Sequence, residues 1–161
     1  MILERRTLAT PASVAAVFRV FTGLGGNRGW LTMNWAWQLR GLLDRLVGGV
    51  GMRRGRREPD GLRPGDAVDF WRVEAVDPDR LLRLRAEMKV PGRAWLQFQV
   101  DPSAAGSVLS QTAVFAPRGL SGWLYWYGLY PVHALIFSHM ARAITRRAEI
   151  LDKPIPPRAC L

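Results

Sequence analysis

Cysteine, lysine and histidine are the residues this sequence scarcely uses. Its single cysteine, Cys160, stands next to the end of the chain. One thiol excludes a disulfide framework and leaves a cysteine-based zinc site without ligands. Its place also misses the prenylation box, which needs cysteine fourth from the end. This thiol economy fits a reducing compartment, so the expected location is the cytoplasm. The two histidines, His133 and His139, are spaced so that they fall on different faces of a helix, which makes them a poor metal pair.

The motifs of common enzyme classes are missing as well. There is no nucleophile elbow, His-Glu-x-x-His run, Walker loop or Ser-His-Asp spacing. Gly23 to Gly29 is glycine-rich, yet it follows a helical stretch rather than a strand, and Arg28 stands where a dinucleotide fingerprint needs its last glycine. No cofactor and no metal are therefore expected. A signal peptide is not expected either: Glu4 and Arg19 interrupt the apolar start, so the N-terminus reads as mature protein.

Charge of one sign is plentiful. The formal net charge is +10, but of 23 basic residues only Lys89 and Lys153 are lysines. Arginine dominance beside abundant alanine and glycine is the imprint of a GC-rich genome. The arginines are spread along the chain, and the one dense run, Arg53-Arg54-Gly55-Arg56-Arg57, is followed at once by Glu58 and Asp60. A nucleic-acid partner needs a clustered basic surface, so none is expected.

What is present describes one globular domain. A chain of 161 residues, 48% hydrophobic, buries a sizeable core. We assign residues 1–151 to a single domain and 152–161, with Pro154, Pro156 and Pro157, to an irregular tail. Residues 2–8 read as a strand. Thr10 and Pro11 suit the N-cap and first position of a helix carrying Val14, Val17, Phe18 and Phe21, which stops at Gly23. A second helix over 33–47 offers Trp37, Leu39, Leu42, Leu43, Leu46 and Val47 as its buried side, with Arg40 and Asp44 placed to pair across one turn or to supply a polar group at a pocket rim. Strands follow at 66–76, 82–89, 94–101 and 107–116. Leu82, Leu84, Ala86 and Met88 alternate with Arg83, Arg85, Glu87 and Lys89, so one face is buried and the other wet. Asp77 to Arg80 is a tight turn, and Pro91-Gly92 suits the centre of a type II turn.

A long helix over 121–150 closes the chain. Gly119 to Ala141 carries no charged residue and is long enough to span a bilayer, but Gly122, Gly128, Pro131 and His133 interrupt its aliphatic character. A sheet wrapped around the helix accounts for apolar residues on most of its circumference. Peripheral membrane contact of 119–141, through Trp123, Tyr125, Trp126, Tyr127 and Tyr130, is the alternative.

Strand, two short helices, antiparallel strands and a long last helix resemble the helix-grip fold of the START-like and polyketide cyclase superfamily. The expected class is thus α+β, with a curved antiparallel sheet around the C-terminal helix and a cavity between them. A narrower resemblance rests on Arg40 to Asp44, Gly48 to Gly51, Gly65 to Val73, Arg85 to Leu96 and Gln111 to Leu120. These runs are similar to an uncharacterised family of small domains, often found C-terminal to a short-chain-dehydrogenase-like NAD(P)-binding domain. The resemblance covers about residues 10–150 and implies no catalytic residues. It makes a separate NAD(P)-binding reductase a candidate partner.

The expected function is binding of a small hydrophobic or aromatic molecule. Trp35, Trp37, Trp71, Met88, Phe98, Phe115, Trp126 and Tyr130 are the candidate pocket residues. The alternative is a cofactor-free acid/base enzyme, a cyclase, dehydratase or isomerase. It needs Asp69, placed inward by alternation with Trp71 and Val73, or His133 to face the cavity.

Overall fold

The computed structural model describes residues 1–52, 56–58 and 60–153. Most of the arginine run and the proline-containing tail with Cys160 lie outside the described residues.

Strand β1 (Ile2–Thr10) leads to α1 (Val14–Thr22), a short 3-10 turn (Gly26–Arg28) and α2 (Asn34–Leu46). Strands β2 (Ala67–Val68), β3 (Trp71–Asp77), β4 (Leu81–Ala86), β5 (Gly92–Ser103) and β6 (Gly106–Pro117) follow, and α3 (Gly119–Asp152) ends the described chain. All neighbouring strands are antiparallel, in the order β1-β6-β5-β4-β3-β2. Chain reversal brings β1, the first strand, beside β6, the last, as pairing of Ile2 with Phe115 and of Thr10 with Ser107 shows.

Local chemistry explains most elements. Leu82 and Leu84 are buried while Arg83 and Arg85 are exposed, the alternation a one-sided strand requires. The turn from β3 to β4 is closed by Arg80 N–H donating to Asp77 O at 3.1 Å. Helix α1 begins later than the Thr10-Pro11 reading. Ser13 is its N-cap and accepts from Ala16 N–H at 3.2 Å. Thr10 is instead a tether, its hydroxyl donating to Glu149 of α3 at 2.8 Å. The turn before β5 also differs: Gly92 N–H donates to Val90 O at 2.8 Å, which spans three residues rather than four.

Helix α3 divides into two halves. From Ile136 onward a stripe of Ile136, Phe137, Met140, Ala141, Ile144, Thr145 and Ala148 is buried, whereas only Gly122 and Trp126 are buried before it. The C-terminal half packs on the sheet and α1; the N-terminal half overhangs. It meets the sheet at Gly122, where an added Cβ would lie 2.5 Å from Pro91 O. Only glycine permits that approach.

The sheet does not wrap this helix all round. Leu120, Trp123, Leu124, Tyr127, Tyr130, Val132 and Leu135 are exposed. The expected buried side of α2 is corrected as well: Trp37 is buried, but Leu39, Leu42, Leu43, Leu46 and Val47 are exposed. Helical spacing sets which residues share a face and not whether anything covers it. Among the described residues, no helix is long and apolar enough to cross a membrane.

Candidate functional site

The overhang of α3 leaves a cavity of about 340 Å³ between α2, the sheet and the helix. Its floor includes Ala94 of β5, Ala113 and Phe115 of β6 and Trp71 of β3; its roof includes Trp126, His133 and Phe137 of α3. Small side chains at 94 and 113 leave space that a leucine at either position would reduce. Trp35, Leu39, Leu43 and Val132 line it while largely exposed, which places them at its mouth.

Six of the candidate pocket residues, Trp35, Trp37, Trp71, Met88, Phe115 and Trp126, line this space. Phe98 and Tyr130 do not. Phe98 shares a strand face with Ala94 but lies nearer the far end of the sheet. There α1 fills the volume: Phe98 is fully buried and stacks on Phe21 with ring centroids 5.6 Å apart. Tyr130 points outward and is 42% exposed.

Asp69 is not in the cavity wall. Alternation fails there because residues 69–70 form the turn between β2 and β3, and Asp69 has φ +53°. Its buried carboxylate accepts from Trp30 Nε1 at 2.8 Å and from Gly26 N–H at 3.2 Å. Gly25 passes so close that an added Cβ would sit 2.3 Å from Val68. Asp69 thus ties the 3-10 turn to the sheet. Trp30 in turn stacks on Trp37, centroids 5.0 Å apart, so the carboxylate supports the cavity wall from behind.

His133 does line the cavity. Its ring stacks on Phe137 at 5.6 Å and lies 6.1 Å from Trp126. Nδ1 is buried with no hydrogen-bond partner among the described residues. Burial, with the Arg40 charge adding to it, pushes its pKa from 6.5 down to about 4. The imidazole is therefore neutral at pH 7. The sign for stability follows. The unfolded chain takes up this proton below its ordinary value of 6.5, and the folded chain only near 4. The contribution is complete above that ordinary value and is lost as the pH falls toward the folded one. Replacement His133→Phe keeps the stack and removes the titration. In urea unfolding, the wild type should lose more stability than the variant between about pH 7.5 and about pH 4.5. Equal losses would mean the ring is not held neutral.

Tyr125 is a wall residue absent from the candidate set, and Arg40, whose spacing offered either a pair with Asp44 or a polar group at a pocket rim, also lines the wall. Spacing suggested an Arg40–Asp44 pair, which the structure replaces. Asp44 is buried and accepts from Gly51 N–H at 2.9 Å and Lys89 N–H at 2.8 Å, fastening the segments beyond α2. Arg40 instead donates from Nη2 to Tyr125 Oη and from Nε to Met88 Sδ at 3.4 Å, with its guanidinium carbon 5.3 Å from the Tyr125 ring centroid. The sequence signal was an arginine on α2 and an aromatic run on α3; their meeting is tertiary.

Comparison with known proteins agrees with this fold. The model of the family described as "Protein of unknown function (DUF2867)" matches residues 2–140. No curated protein matches the chain in sequence. Among solved structures, the di-domain ARO/CYC StfQ from the steffimycin biosynthetic pathway is similar at 12% identity and TM-score 0.57. That match covers 93% of this chain and 51% of that one, so this chain spans about half of it. A truncated norcoclaurine synthase from Thalictrum flavum is similar at 14% identity and TM-score 0.55, covering 95% of each. Ara h 8.0201 is similar at 11% identity and TM-score 0.55, covering 92% of this chain and 98% of that one. At these identities the likeness shows the fold, a helix grip.

Proposed function

Because this chain belongs to the DUF2867 family, whose description names no activity, we propose from the site itself that it binds a small hydrophobic or aromatic molecule between the sheet and α3. The carrying observation is the cavity: about 340 Å³, walled almost wholly by aromatic and aliphatic side chains. Pockets of this size and lining bury most of a small ligand's surface. Proteins whose names denote an ARO/CYC and a norcoclaurine synthase share the fold, which is consistent with a ligand-holding role.

An acid/base reaction in the same space would fall to His133, since Asp69 is committed to Trp30 and Gly26. A histidine with a pKa near 4 is a weak base at pH 7, which favours holding a ligand over abstracting its proton.

The test uses the cavity's own tryptophans. Titration with a panel of flat aromatic and aliphatic compounds should change tryptophan emission. A ligand at one hundred times its Kd should stabilise the fold by about 2.7 kcal/mol and raise Tm. Ala94→Phe places a ring in the free volume and should abolish both responses while leaving the unliganded protein folded. A wild type inert to the whole panel, or a filled variant that responds equally, overturns the proposal.

A further inference from the structure

Among its described residues, the cavity wall carries one charge that no anion on the wall balances. Among the described residues that line it are no aspartate, glutamate or lysine; of these, Arg40 is the one permanently charged group, and His133 is neutral. The partners of Arg40 are a phenol, a thioether and an aromatic face, none of them an anion. Asp44, the acid one turn along α2, turns its oxygens to the backbone of Gly51 and Lys89. Burial pulls the Arg40 pKa below its usual value, and the charge of Asp44, which makes no direct ion pair with it, opposes that shift without overcoming it. The guanidinium nonetheless stays charged, as arginine does in proteins.

A largely buried cation without a carboxylate partner is costly for the empty fold. The same cation is an asset to a complex in which the ligand supplies the anion, because a guanidinium offers parallel N–H donors matched to two carboxylate oxygens. Here Nη1 makes no hydrogen bond to a described residue; the bonds run from Nε and Nη2. Tyr125 braces the planar group from α3, so its orientation is set before a ligand arrives.

We propose that the cavity selects hydrophobic acids, seating a carboxylate on Arg40 between α2 and α3 and the apolar body over Trp71, Ala113, Phe115 and Trp126. This rests on the binding reading above and narrows it to a ligand class.

The experiment compares naphthalene-2-acetic acid with its methyl ester by calorimetry, on the full chain and on Arg40→Met, which keeps the apolar stem. The acid should bind wild type at least about ten-fold more tightly than the ester, a difference of roughly 1.4 kcal/mol. Arg40→Met should lose that preference while its ester affinity stays unchanged. If the methionine variant does not fold, Arg40→Lys retains the charge without the paired donors, and a reduced preference for the acid is expected from it. Equal or weaker binding of the acid by wild type overturns the proposal but leaves the binding reading standing, as does a preference that survives Arg40→Met. Failure of both compounds to bind overturns this proposal, and the binding reading falls with it only if the whole panel above is inert as well.

Discussion

Phe98→Ala should lower stability by about 4 kcal/mol and leave ligand affinity untouched while the protein remains folded. Phe98 is fully buried and stacks on Phe21 at an interplanar angle of 16°. Leu96 and Val100 beside it on β5 are also sealed, so little can collapse into the volume a benzyl group leaves. For a domain of this size the loss corresponds to a fall in Tm of roughly 10 °C. Chemical unfolding measures the first part, and the tryptophan titration the second. A variant that keeps its stability but loses ligand response would return Phe98 to the cavity wall and contradict its place against α1.

Asp69→Ala should cost about 3 kcal/mol, for a different reason. The substitution strands the Trp30 indole N–H and the Gly26 N–H in a sealed region, and leaves alanine at φ +53°. Asparagine tolerates that conformation and retains an acceptor, so Asp69→Asn should lose distinctly less in the same unfolding experiment. This ordering separates a structural carboxylate from a catalytic one. An Asp69→Ala protein of wild-type stability would mean that the bonds to Trp30 and Gly26 do not hold the turn. Because Trp30 stacks on Trp37, the alanine variant should also loosen the cavity wall.

The sequence by itself determined most of the elements and their order, though not the break of 66–76 into β2 and β3 at the Asp69 turn. The alternation of Leu82 and Leu84 with Arg83 and Arg85 is a local signal, readable within a few residues, and it marks a one-faced strand wherever the strand ends up. The charge-free stretch from Gly119 to Ala141 likewise announced one long last helix. Aromatic richness pointed to the wall, and Trp35, Trp37, Trp71, Phe115 and Trp126 are there.

Only the tertiary structure decided where the empty volume lies and which polar groups reach it. Ala94 and Phe98 occupy the same face of the same strand, yet one lines the cavity and the other meets α1; periodicity has no term for position along the sheet. Asp69 turned away because a residue 39 positions earlier, Trp30, supplies a buried donor and the chain bends between β2 and β3. Arg40 left its neighbour Asp44 for Tyr125, 85 residues later. Face and period are properties of a short segment of backbone, whereas cover, emptiness and charge balance belong to contacts between distant segments. That is why the grip of sheet on helix was legible in the chain, and why the pairing of Arg40 with Tyr125 inside it was not.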